Sequence, residues 1–265
     1  MTMNYETIFK EFRRRYSSSR LFASSVGISV LLSLYLMINN MQANSNLSER
    51  PYLYFFLMIG ALIVAIGAYT YLYNFRLMKS LEVLDPILYD HADPKSYTDY
   101  LQATIRFDKR KSVPPALWIA YLKGLSYLGK TKEMKDIMNT HSDILKDNIQ
   151  YKAFEFNVMA IVDQRKSYDR YYDTMSKRLK SMTQIESLKI KGHFLKQDYD
   201  TVIESLKLME PYQNTLLDKV SWNFQMSQAL VLSKQKEEAK PYLTFVIDHG
   251  NTSYYVEEAK KLRMT

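Results

Sequence analysis

The chain of 265 residues has no cysteine, only 7 glycines and only 7 prolines. Without cysteine there are no disulfides, no thiolate nucleophile and no cysteine-ligated zinc. So few glycines and prolines cannot supply the many tight turns of an all-β protein. Also missing are a phosphate-cradling glycine-rich loop and a nucleophile elbow. The four histidines, His91, His141, His193 and His249, never fall three or four residues apart, so no helix carries a two-histidine metal site. No catalytic residue, cofactor site or metal site is therefore expected, and the chain is read as non-enzymatic.

What is abundant is Leu, Met, Lys, Glu and Gln, which favours helix. The fold class expected is all-α. The formal charge of +8 is uneven. Residues 1–79 hold 8 Lys/Arg against 3 Asp/Glu, and residues 80–265 hold 28 against 25, so the excess is +5 in the first segment and +3 in the rest. A basic excess gathered beside apolar runs points to a lipid surface and argues against a nucleic-acid partner.

Two apolar runs stand out. Leu21 to Met41 has no charged residue, and neither does Tyr52 to Phe75. As helices rising ~1.5 Å per residue, each is long enough for a hydrocarbon core of about 30 Å. The first is too long, and ends in too poor a cleavage site, for a secretory signal. The second has aromatic residues at both ends, as an interfacial belt would. The expectation is a transmembrane hairpin: residues 1–20 basic and juxtamembrane, 21–41 the first span, 42–51 a short external loop, 52–75 the second span. Arg13, Arg14, Arg15 and Arg20 precede the first span and would sit at the membrane surface. The charge bias places both termini in the cytoplasm of a plasma-membrane protein. Tyr5, Ile8, Phe9, Phe12 and Tyr16 share one helical face, which reads either as an interfacial helix on anionic lipid or as an unstructured basic flank. Small residues mark both spans: Ser25, Ser29 and Ser33 on the first, Gly60, Ala61, Ala65, Gly67 and Ala68 on the second. They would let the two helices pack closely within the hairpin, or dock a further helix.

Beyond Lys79 the pattern becomes amphipathic helices joined by short polar turns. Connecting helices are expected over 76–113, with one from Pro94 to Phe107, and paired helices over 114–265. The pairs are Pro115–Leu128 with Thr131–Asn139, Lys152–Asp163 with Ser167–Lys180, Thr183–Leu195 with Tyr199–Met209, and Val220–Leu232 with Lys236–Ile247. Their turns centre on Gly129, Lys166, Gln197 and Lys234, a mean spacing near 35. Asn251 to Arg263 closes the array.

A period near 34, Trp118 and Trp222 ahead of their turns, the run Gln197 to Ile203, and Ser227, Ala239 and Leu243 in the last pair together resemble the tetratricopeptide-repeat family in a degenerate form. The resemblance implies an α-α solenoid with a concave face that binds a peptide or helix of a protein partner. First-helix residues would line that groove, with Lys123, Tyr127, Phe156, Lys191, Phe224 and Gln228 as candidates. The function expected is a membrane-anchored scaffold or adaptor, for instance an accessory subunit of a membrane complex. The alternative is an immunity or stress-protection protein acting through the hairpin. A homo-oligomer is left open, and the Asn/Lys/Tyr-rich composition suggests a bacterial source.

Overall fold

The computed structural model describes residues 5–44, 51–107, 113–179 and 181–264. Among them there is no strand, and the chain divides into two compact units, Met1–Leu84 and Asp85–Thr265.

The first unit is a helical hairpin. Helix α1 runs over Tyr5–Asn44 and α2 over Pro51–Leu81, followed by a 3-10 turn at Glu82–Leu84. Pro51 opens α2 at a position where a missing N–H costs nothing. Both helices are long enough and apolar enough to cross a membrane. In their most apolar windows only 17% and 6% of residues are buried, so most of their apolar side chains face outward from the hairpin. Each helix keeps one narrow buried stripe. On α1 it passes through Phe12, Tyr16, Ser19, Ala23, Gly27 and Ile38, and on α2 through Ala65, Leu77, Ser80 and Leu81. From Phe12 to Gly27 the buried positions of α1 step by three and four residues, the seam expected of two helices packed lengthwise. Polar atoms in the seam are satisfied within their own helix: Ser19 Oγ donates to Tyr16 O at 2.7 Å and Ser80 Oγ to Arg76 O at 2.8 Å.

Three expectations change here. The basic flank is neither unstructured nor a separate interfacial helix, because α1 continues through it without a break. Phe12 and Tyr16 stack on each other and are buried. The small residues also divide differently. Ser25, Ser29 and Ser33 lie on the exposed side of α1, and Gly60 is exposed on α2. A Cβ placed on Gly60 or Gly67 would meet nothing within 4 Å. Ala65 is buried in the seam, and Ala61 and Ala68 lie at its edge. The close approach in α1 is made by Gly27, where a Cβ would touch Tyr69 of α2 at 3.7 Å. The loop expected at 42–51 is shortened, since Gln42 to Asn44 belong to α1 and Pro51 to α2. Residues 45–50 lie outside the described set, as do the side chains of Arg20, Met41, Gln42, Asn44 and 51–54, where the aromatic start expected of the second span falls.

The second unit is a layer of short helices: α3 Asp85–Tyr89, α4 Pro94–Phe107, α5 Pro115–Tyr127, α6 Thr131–Thr140, α7 Ser142–Leu145, α8 Ile149–Asn157, α9 Ile161–Ser176, α10 Met182–Lys196, α11 Tyr199–Met209, α12 Leu216–Leu232, α13 Lys236–His249 and α14 Tyr254–Met264. Three of the four expected turn anchors are left-handed residues: Gly129 at φ 68°, Gln197 at 63° and Lys234 at 66°. Each is followed by the same closing bond, Lys130 N to Leu125 O (3.1 Å), Asp198 N to His193 O (3.0 Å) and Gln235 N to Leu230 O (2.8 Å). This i to i−5 bond is the Schellman stop, which satisfies carbonyls the helix would leave open. Five residues before each of these anchors stands a small residue, Gly124, Gly192 or Ala229. A Cβ on Gly124 would collide with Thr98 of α4, and one on Gly192 with Tyr168 of α9. Helices α5 and α10 thus press their glycines against the last long helix of the preceding pair.

The fourth anchor was misplaced. Arg165 and Lys166 lie inside α9, and the break falls earlier, at 158–160. No left-handed residue ends α8. Instead the buried Gln164 side chain reaches back, and its Nε2 lies 3.0, 3.4 and 3.3 Å from the carbonyls of Phe156, Asn157 and Met159. A side chain from the next helix caps α8 where glycine would otherwise serve.

The ends of the layer also meet. Asn251 Nδ2 donates to His91 O at 3.1 Å. The Thr252 hydroxyl donates to Asp93 Oδ1 at 2.7 Å and accepts from Lys95 N at 3.1 Å. Helix α3 packs on α12, and each helix pair packs on the next, so the helices form a closed circuit. The core of its C-terminal half holds Val202, Leu206, Val220, Leu230 and Val246, with Trp222 Nε1 satisfied by Leu206 O at 2.7 Å.

Candidate functional site

Inside this circuit lies a cavity of about 550 Å³. Four of its lining residues, Tyr89, Lys123, Asn157 and Lys191, are spaced 34 apart in sequence. They come from α3, α5, α8 and α10, at equivalent positions of successive helix pairs. Neighbours in this ladder bond to each other: Lys123 Nζ donates to Tyr89 Oη at 3.0 Å, and Lys191 Nζ donates to Asn157 Oδ1. The next position, Gln225 of α12, lines an adjoining cavity of about 330 Å³ that shares Tyr127 and Ser187 with the first. A third pair at the same spacing, Ser221 and Tyr255, brings its hydroxyls within 3.2 Å.

The larger cavity carries two lysines and no Asp or Glu in its described lining, while five tyrosines, Tyr89, Tyr127, Tyr171, Tyr254 and Tyr255, form much of the wall. Burial lowers the proton affinity of Lys191, to a pKa of about 8. Its ammonium lies 4.8 Å from the centre of the Phe156 ring, and that ring stacks on Tyr171 at 3.9 Å. Cation–π contact and a neutral amide are its partners. Burial pushes the Tyr171 hydroxyl up to about 12, and raises Tyr127, Tyr254 and Tyr255 as well, so all stay neutral hydrogen-bonding groups at physiological pH. Chemically the cavity offers positive charge, aromatic faces and amides.

Of the six groove candidates, Lys123, Tyr127 and Lys191 line this cavity. Phe156 is buried beneath Lys191 and Tyr171. Phe224 is buried behind Tyr254 and Tyr255, at ring separations of 6.2 and 5.0 Å. Gln228 is half-buried on α12 and is not among the cavity-lining residues. Tyr89, Asn157, Tyr254 and Tyr255 were not singled out in the sequence. Stepping 34 residues either way from Lys123 would have found Tyr89 and Asn157. The misplaced turn at 165–166 hid that register.

Elsewhere, His193 Nδ1 lies 2.9 Å from Asp198 Oδ2, and Asp198 Oδ1 accepts from Thr201 N at 3.4 Å. Hydrogen bonds from Thr201 and His193 hold the Asp198 carboxyl below its usual range. The pair caps α11 and closes the α10–α11 turn. Among the described residues no group of three His, Asp or Glu could hold a metal ion. On the hairpin, Arg13, Arg14 and Arg15 are exposed. Arg13 lies over the Phe9 ring at 4.5 Å, and Arg15 Nε donates to Glu11 at 3.0 Å.

Compared with protein-family models, with curated proteins and with solved structures, the chain matches none.

Proposed function

We propose that the chain is a membrane-held, non-catalytic adaptor. The hairpin crosses the plasma membrane with both termini in the cytoplasm, and unit 85–265 receives a protein partner there, as an accessory subunit of a membrane complex would. The observation that carries this reading is the opposite use of apolar residues in the two units. The hairpin leaves Ile28, Ile63 and Val64 more than half exposed, whereas unit 85–265 buries its own core and keeps an aromatic-lined cavity with two lysines. The helix pairs are read as a degenerate tetratricopeptide-like array. Hydrogen bonds between side chains 34 residues apart support this, as do the three Schellman turns. The exposed run Met159, Ile161 and Val162, at the irregular α8–α9 turn, adds an apolar surface for a partner.

The test is photo-crosslinking in cells from a reactive residue placed at Val162, with a second at the exposed Lys240 of α13 as control. A discrete adduct from Val162 alone supports the adaptor. Equal, diffuse labelling from both sites counts against it.

A second reading, immunity or stress protection through the hairpin, draws on the exposed small-residue positions Ser25, Ser29, Ser33, Gly60 and Gly67. These leave room for a further helix to dock. A chain cut after Leu84 that keeps full cellular activity would select this reading and remove the adaptor.

A further inference from the structure

We infer that the cavity inside the helical circuit is a binding site for a small organic anion bearing a planar ring, with Lys123 and Lys191 supplying the positive charge that attracts it and tyrosine rings along its body. This goes beyond the adaptor reading and stands whether or not a protein docks elsewhere on the unit.

Three observations carry it. The first is charge. Lys123 and Lys191 both line the cavity, and their described partners there are neutral, a tyrosine hydroxyl and an amide oxygen. No carboxylate stands in the lining to balance them, although lysines on the outer surface, such as Lys152, Lys189 and Lys260, are paired with glutamates. Two cations facing one concave space without a counter-charge favour an anion, and a partly desolvated site strengthens that attraction. The second is shape. A cavity of about 550 Å³ falls in the range of small-ligand pockets, roughly 300–1,000 Å³. The third is the wall. Five tyrosine rings offer stacking faces and hydroxyl donors, as a ring-bearing ligand requires.

The site also spans the closure of the circuit. Tyr89 stands two residues before His91, and Tyr254 two residues after Thr252, so a ligand touching both would reinforce the bonds that join the ends.

The experiment titrates the full chain, in nonionic detergent, with 1-naphthyl phosphate. Inorganic phosphate serves as the ringless control and 1-naphthol as the uncharged one. Saturable binding of one 1-naphthyl phosphate per chain is expected, with a Kd below about 1 mM. Inorganic phosphate should bind at least about tenfold more weakly, and so should 1-naphthyl phosphate to Lys123→Met or Lys191→Met. Both variants must first show a wild-type melting profile or a raised one; Lys123→Gln and Lys191→Gln replace any that do not. Binding that survives loss of both lysines overturns the inference. So does 1-naphthol binding as tightly as the phosphate, and so does no saturation by about 10 mM.

Discussion

Val64 and Leu122 are both aliphatic residues in the middle of a helix, yet Val64 is 60% exposed and Leu122 fully buried. The contrast holds across the two units. In the hairpin each helix buries one narrow stripe and turns its remaining apolar sides outward. In the helical unit the apolar residues of successive pairs meet in a shared interior, and the apolar side chains left outside, such as Ile161, Val162 and Leu208, are scattered among charged ones. The hydrophobic effect operates in both, but the hairpin leaves most of its apolar surface uncovered, as suits helices long and apolar enough to cross a membrane, whereas the helical unit buries its own.

The largest effect is expected from Leu122→Ala, which should lower the stability of the helical unit by about 2–5 kcal/mol. The only two tryptophans, Trp118 and Trp222, both lie in that unit, so tryptophan fluorescence reads its unfolding alone. An equally large loss from Val64→Ala would erase the contrast between the units. Next comes Val64→Arg, which places a charge near the centre of α2 and should disfavour membrane insertion by about 2.5–3.5 kcal/mol. Its readout is the fraction of chain that sediments with membranes, and the tryptophan melting profile should not move. Gly192→Ala follows, at about 1–3 kcal/mol, because the added methyl must displace Tyr168 from its 2.8 Å bond to Leu188 O. The same change at Gly60, where a Cβ meets nothing within 4 Å, should leave the tryptophan melting profile of the helical unit unaltered.

A pH-dependent effect concerns Lys191. Its pKa falls from 10.5 to about 8 on folding, so between those values the unfolded chain holds more proton than the folded one. Stability from this group therefore rises with pH from about 8 to 10.5, and the cost of burying the ammonium is fully present below pH 8. Lys191→Met should melt higher than wild type at pH 7, and the gap should narrow as pH passes through that window. A gap that does not change with pH would show that Lys191 is not desolvated.

Much of this architecture could be read from sequence because it rests on local chemistry. Uncharged runs marked the hairpin. Proline starts placed α4 and α5, and Gly129, Gln197 and Lys234 occupy the left-handed turns that stop α5, α10 and α12. What escaped was non-local. The α8–α9 break has no glycine or left-handed residue, because Gln164 caps it from the following helix, and nothing nearby in sequence announces that. Losing this one turn displaced the register by several residues and concealed Asn157. The bonds from Asn251 and Thr252 to residues 91–95 span about 160 positions, beyond any periodicity argument. Tyr254 and Tyr255 reach the cavity only because of that closure. Serines on α1 misled for another reason: small size makes close packing feasible on any face, and Gly27 occupies the face that α2 uses.

The account depends most on the hairpin's exposed apolar sides lying in a bilayer. Washing membranes that contain the full chain with alkaline carbonate, which strips peripheral proteins, tests this directly. The account predicts that the chain stays in the membrane pellet, and its release into the supernatant would contradict it.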